Sequence, residues 1–304
     1  MPRRLRADSP LFPTGVLNVD KAAGETSFSV VSRLRRMTGA HRVGHAGTLD
    51  PLATGVLPIL FESATRLAEF ALRLSKTYVA DIHFGYFTAT DDAEAERQPV
   101  ADPSAITREQ LEAALAVFTG RILQEPPAFS AVKVEGRRAY KLARGGEPTR
   151  PVAREVVVYE ATLLDFRPGP EAVAQVEIRC GSGTYLRSIA RDLGARLQVG
   201  GYLGRLVRTG YGPLGIETAV RSDEITSAEI VRDRLLPAEV ILPDMEQVRL
   251  TVEQAAMVRQ GRAVRVLPEP GPGPVRAHDL TGRLVALGHT DPLRRTFVPE
   301  KVLG

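Results

Sequence analysis

Gly44-His45-Ala46-Gly47-Thr48-Leu49-Asp50-Pro51-Leu52-Ala53-Thr54-Gly55-Val56-Leu57 places one carboxylate, one imidazole and three glycines within fourteen residues, and runs on into the apolar segment Leu57-Pro58-Ile59-Leu60-Phe61. The proline after Asp50 biases that residue towards an extended or turn conformation and away from a helix. The flanking glycines permit tight backbone paths and close approach of a second molecule. Spacing alone leaves two readings open. Asp-Pro initiates ordinary turns with no chemistry attached, whereas loops on a rigid scaffold are where catalytic groups concentrate.

The surrounding composition narrows the setting. With 304 residues, 43% of them apolar, the chain can bury a sizeable core and form two domains. No apolar run reaches the roughly 18 residues of a membrane span. Met1-Pro2-Arg3-Arg4-Leu5-Arg6-Ala7-Asp8-Ser9-Pro10 is basic and lacks the apolar stretch of a secretory signal. Residues 1–12 are therefore expected to be a disordered lead-in, and the cytoplasm is the expected location. Cys180 stands alone, which excludes an internal disulfide and a cysteine-built zinc site.

Charge is unevenly placed. The net charge is only +4, with a pI near 9.4. Residues 130–155 hold Lys133, Arg137, Arg138, Lys141, Arg144, Arg150 and Arg154 against Glu135, Glu147 and Glu155. Residues 249–304 hold nine Lys or Arg and five Asp or Glu, while Asp91, Asp92, Glu94, Glu96 and Asp102 crowd one short segment. A polyanionic partner is expected on the first two regions and away from the third.

Periodicity predicts the scaffold. Residues 26–38 read as a helix with Val30, Val31, Leu34 and Met37 apolar and Gly39 as its stop. Thr107-Arg108-Glu109-Gln110 is a capping box, followed by the stripe Leu111, Leu115 and Phe118, with Gly120 closing the helix. Residues 77–84 and 172–180 alternate as strands, with Tyr78, Ala80, Ile82 and Phe84 on one face of the first, and Ala174, Val176, Ile178 and Cys180 inward on the second. A helix over about 184–197 carries Arg187 near its first turn and turns Ile189, Leu193 and Leu197 to the sheet. Irregular succession of strands and helices predicts an α+β fold. A break near Leu242-Pro243-Asp244 separates a domain over 13–243 from a smaller one over 246–304, which begins with a helix candidate at 250–261 and includes a proline-glycine loop at 267–274.

Further motifs follow in order. They are Gly15-Val16-Leu17-Asn18-Val19-Asp20-Lys21-Ala22-Ala23-Gly24-Glu25-Thr26-Ser27, Lys76-Thr77-Tyr78, the stretch Pro126 to Tyr140, Cys180-Gly181-Ser182-Gly183-Thr184-Tyr185-Leu186-Arg187-Ser188, and Leu206-Val207-Arg208-Thr209. Together with the Asp50 stretch they resemble the TruB-type tRNA pseudouridine synthases, over roughly residues 14–245, with Ala22 where proline is usual. The resemblance implies a pseudouridine synthase fold, a mixed and largely antiparallel sheet flanked by helices. It also implies a small C-terminal β-rich module of the PUA type, and isomerisation of uridine 55 in the tRNA T-loop. It implies Asp50 as the catalytic carboxylate, Arg187 as its partner, and Tyr78 as stacking residue and handler of the C5 proton. His45, Tyr185, Leu206 and Lys21 are implied at the substrate. Residues 126–152, with Lys133, Arg137, Arg138 and Lys141, are implied as an RNA-gripping loop.

The chemistry fits this set. Turning uridine into pseudouridine breaks N1–C1′ and joins C5 to C1′, so no cofactor and no metal is expected. Asp50, the one acidic residue of the signature, suits either addition to the substrate or removal of a ribose proton. Glycosidases use two carboxylates, and no second one is expected near Asp50. A buried carboxylate needs a cation to stay ionised, and a guanidinium binds it bidentately. Without the resemblance, packing alone would explain Tyr78, and an ion pair with Asp20 or another carboxylate would explain Lys21. The expected partner is the T-arm of tRNA, bound by a monomer that needs no protein partner. The rivals are the catalytic subunit of a guide-RNA ribonucleoprotein and a non-catalytic RNA-binding or RNA-folding protein.

Overall fold

A computed structural model of the chain describes residues 12–130, 133–134, 137–138, 151–266, 271, 273–291 and 293–303. Ten strands build one mixed sheet: β1 (Gly15–Lys21), β2 (Val43–His45), β3 (Thr54–Phe61), β4 (Lys76–Phe84), β5 (Gly120–Gln124), β6 (Arg154–Arg167), β7 (Val173–Cys180), β8 (Gly201–Tyr211), β9 (Leu214–Gly215) and β10 (Val220–Arg221). The order across the sheet is β10-β1-β3-β8-β4-β7-β6-β5, with β2 on β3 and β9 on β8. The pairs β1/β10 and β3/β8 are parallel and the others antiparallel.

The alternating strands bury the faces that their pattern predicts. Ala80, Ile82 and Phe84 of β4 and Ala174, Val176 and Ile178 of β7 are sealed in one core. The helices α1 (Ser27–Thr38), α3 (Arg108–Ala116) and α4 (Leu186–Arg196) add Val30 and Leu34, Leu111 and Leu115, and Ile189 and Leu193 to it. Two shorter helices, α2 (Ala68–Arg73) and α5 (Ala228–Asp233), complete this part. Capping follows the sequence closely. Thr26 and Ser29 form a reciprocal capping box on α1, which ends at the left-handed Gly39 (φ 68°), and Thr107 and Gln110 do the same for α3.

Two expectations change. The third helix stops at Ala116, because Phe118 N–H and Thr119 N–H turn back to Leu115 O and Ala116 O and tighten the chain. Gly120 (φ 98°) therefore opens strand β5 instead of closing a helix. Phe12, expected in the lead-in, is buried in the core and packs on Phe61 with ring centroids 5.1 Å apart. Residues 1–11 lie outside the described residues.

The second sheet consists of β11 (Glu246–Arg249), β12 (Val264–Arg265), β13 (Pro274–His278), β14 (Leu284–Asp291) and β15 (Thr296–Val302), in the order β11-β13-β14-β15-β12. The helix α6 (Val252–Arg259) packs on it around Ala255 and Val258. Its outer layer, Leu284, Leu287 and Leu303, shares a core cluster with Val16, Leu60 and Ala64 of the main sheet region, and Lys301 pairs with Glu69. Most of the proline-glycine loop, residues 267–270 and 272, lies outside the described residues. No helix among the described residues is long and apolar enough to cross a membrane.

Candidate active site

Residues 46–53 form the loop between β2 and β3, and Asp50 stands just before its turn at Pro51-Leu52. Several independent ties fix the loop. Ser27 Oγ accepts a hydrogen bond from Leu49 N–H (2.9 Å) and donates to Leu49 O (3.1 Å), and Gly24 N–H donates to Pro51 O (2.9 Å). Gly47 needs its left-handed backbone (φ 77°). At Gly55 (φ 99°) a Cβ would fall 2.2 Å from Arg208 O, so only glycine lets β3 lie against β8 there.

Asp50 opens onto a cavity of about 710 Å³ whose walls include Tyr78, Asp92, Tyr185, Arg187, Leu206 and Arg208. Arg187, the second residue of α4, has a side chain only 8% exposed and sets Nη2 3.0 Å from Asp50 Oδ2. Asp50 itself is 42% exposed, so one side of the carboxylate is held while another faces the cavity. Arg187 is fixed from behind: Nη1 donates to Thr90 O, Nη2 donates to Phe129 O, and Nη1 lies 3.4 Å from Asp92 Oδ2. The cation sits at a helix start, where the dipole gives it nothing, so these partners account for its place.

Asp92 corrects one expectation. A second carboxylate does stand at the site, 2% exposed and bound to Arg187 on the side away from Asp50's contact nitrogen. Two acids of the acidic segment are ion-paired: Asp92 with Arg187, and Asp91 with Arg191 at 3.0 Å. Asp92 Oδ1 accepts hydrogen bonds from Thr90 and from Glu94 N–H, so its carboxylate is occupied as an anchor.

Tyr78 lines the cavity from β4, directly opposite Arg208 in the β4/β8 ladder. Burial pushes its hydroxyl above the ordinary value of 10, and Arg208 pulls it back. Tyr185 and Leu206 also line the cavity, and the Tyr185 backbone is clamped both ways by the Gln124 amide. His45 does not line it. It sits on β2 with Nδ1 buried and without a hydrogen-bond partner among the described residues, and burial lowers its pKa.

Lys21 is a correction. Neither at the cavity nor ion-paired with Asp20, its sealed ammonium donates to Ala22 O (2.9 Å), Glu25 O (2.8 Å) and Pro51 O (3.4 Å). It holds the carbonyl next to Asp50 and so supports the loop. Of the gripping loop, Lys133–Val134 and Arg137–Arg138 pair as a short antiparallel ribbon, and Lys141 lies outside the described residues.

Sequence reading missed Asp92, Lys76 and Arg208. Lys76 lines the cavity, nearly buried, with its ammonium donating to Ser182 Oγ (3.0 Å) and to Leu72 O; burial lowers its pKa to about 8. Arg208 carried a readable signal: it lies two residues beyond Leu206 on one strand, hence a cation on an inward face.

The profile of the TruB family pseudouridylate synthase N-terminal domain matches residues 35–186, which include Asp50, Tyr78, Asp92 and Tyr185. The chain belongs to the TruB family. Among its relatives, tRNA pseudouridine synthase B of a Synechococcus strain is 44% identical over 277 residues, spanning 90% of this chain and 93% of that one. The protein of the same name from Symbiobacterium thermophilum is 45% identical over 252 residues, 83% of each chain. A crystal structure of a Cbf5–Nop10–Gar1 complex superposes on this TruB-family chain with a TM-score of 0.70 at 27% identity, covering 95% of this chain and 85% of the other. An archaeal box H/ACA sRNP Nop10–Cbf5 complex shares the fold, with a TM-score of 0.68 at 24% identity.

Proposed function

We propose that this chain isomerises uridine 55 in the T-loop of tRNA to pseudouridine. The observation that carries the reading is the half-open carboxylate of Asp50, anchored by a buried guanidinium at the mouth of a cavity lined by Tyr78, Tyr185 and Leu206. A base embedded in a folded RNA loop must leave its stack to reach such a cavity, and the aromatic and aliphatic walls receive it. The N1–C1′ bond then breaks, the base turns in place, and C5 bonds to C1′. A proton leaves C5 and one is gained at N1, so the product is an isomer and no electron or group donor is consumed.

Each residue has a separate task. Asp50 supplies the ionised oxygen at the reacting nucleoside. Arg187 holds and aims it, and Asp92 keeps Arg187 in place. The Tyr78 ring stacks on the base, and its hydroxyl handles the C5 proton. Residues 126–152 grip the RNA, and the domain over 246–304 is a PUA-type module that contacts the same tRNA. Family membership and the near full-length match to enzymes named tRNA pseudouridine synthase B support this reading.

The likeness to Cbf5 favours one second reading, a catalytic subunit that needs other proteins and a guide RNA. One experiment separates the two. The purified chain alone, incubated with a minimal T-arm hairpin, should yield pseudouridine on nucleoside analysis. No product from the hairpin or from full-length tRNA would overturn the proposal and leave the guide-dependent reading. In the cell, the proposed enzyme is cytoplasmic and works as a monomer without a protein partner.

A further inference from the structure

Arg208 is among the largest fully sealed side chains of the protein, 1% exposed, and no carboxylate among the described residues pairs with it. A buried guanidinium is costly unless its donors are used. Here they go to main-chain carbonyls. Nε donates to Val56 O (2.6 Å) and Nη2 to Gly47 O (3.2 Å), one on each side of Asp50 in sequence. The guanidinium lies over the Tyr211 ring (5.0 Å), whose hydroxyl is itself fixed to Ala71 O (3.0 Å). Across the ladder its direct neighbour is Tyr78.

From this arrangement we infer that Arg208 is a positioning residue for the isomerisation, holding the Asp50 loop and the Tyr78 side chain as one rigid unit. The inference rests on the proposed function of the cavity. The ties from Ser27, Gly24 and Lys21 hold the loop at Leu49 and Pro51, and Arg208 adds hold at Gly47, ahead of Asp50, and at Val56 of β3 beyond it. A guanidinium presents its donors in a fixed planar fork, a geometry that an ammonium on a flexible stem does not reproduce. The charge has a second effect. The groups that face the Tyr78 hydroxyl are Arg208 from β8, Cys180 from β7 and Asp50 from the loop; among these Arg208 is the cation that favours the phenolate.

The test is Arg208→Lys, which keeps charge and approximate length, with Arg208→Met beside it. Turnover of the T-arm hairpin is measured per hairpin-binding site, so that any unfolded fraction drops out. Arg208→Lys is expected to lower kcat by about 10- to 100-fold, the scale of a small misplacement of reacting groups. KM should change by less than about threefold, since the strap is not a binding contact. Arg208→Met should lose at least as much and move the rate profile of the surviving activity to higher pH; should it not fold, Arg208→Lys decides alone. An Arg208→Lys enzyme with wild-type kcat per binding site, whatever its melting temperature, overturns the inference. Wild-type enzyme inactive on the hairpin would instead overturn the proposed function.

Discussion

Arg187 and Asp50 form an ion pair at 3.0 Å in which the cation is nearly sealed, with 8% of its side chain exposed, and the anion keeps 42%. The pair is thus asymmetric. The protein immobilises the guanidinium with two carbonyls and Asp92, and leaves the carboxylate one free side towards the cavity.

Asp50→Asn keeps the shape of that side chain and removes its charge. Pseudouridine formation should fall by at least ~100-fold, the usual scale for deleting a chemical group. Binding of the hairpin should stay close to wild type. Filter binding beside nucleoside analysis checks this, and substantial residual turnover would make Asp50 a turn residue.

Asp92→Ala should act on Arg187. Breaking a buried charge pair commonly costs about 3–5 kcal/mol, so the melting temperature should drop, and turnover with it. Arg187→Met combined with Asp92→Leu should recover stability and no turnover. Calorimetry and the hairpin assay separate the two effects.

Tyr78→Phe should bind RNA and stall, because the ring survives and the hydroxyl does not. Tyr78→Leu should lose both. Equal and mild losses would show that Tyr78 only packs.

Lys76 gives a pH signature. Its pKa falls from 10.5 to about 8 on burial, so folding disfavours its proton. The unfolded chain binds more protons between those values, and stability therefore rises with pH across that window. Below about pH 8 the charged form carries the whole penalty, about 3 kcal/mol on the scale of 1.36 per pKa unit. Lys76→Met should be more stable than wild type at neutral pH, with the difference shrinking from pH 8 upward. Paired denaturant titrations read this, and a pH-independent difference would contradict it.

Replacing Lys133, Arg137, Arg138 and Lys141 by alanine should raise KM for tRNA and flatten its salt dependence. Each lost phosphate contact removes about 0.7–0.9 from the log–log slope. An unchanged slope and KM would show these cations to be bystanders.

Much of this was readable in the chain because it is local. The helix caps at Thr26 and Thr107, the alternation in β4 and β7, and the Asp50 motif each depend on neighbours a few residues away. What escaped is non-local. Asp92 reads as one of several surface acids until the fold sets it on Arg187, and Lys21 reads as a substrate contact until the fold brings Pro51 O to an ammonium already held by the nearby Ala22 O and Glu25 O. The end of α3 escaped for another reason, since the apolar stripe continues through Phe118 after the backbone has already turned.

The strap from Arg208 to Val56 spans 152 residues of sequence. During synthesis the segment bearing Asp50 leaves the ribosome long before the strand that completes it, and closing so long a loop is entropically slow. The nascent chain therefore carries an unassembled, inert motif until its second half has emerged. Activity should arise late and all at once, and C-terminal truncations ending before β8 should yield no partial catalyst.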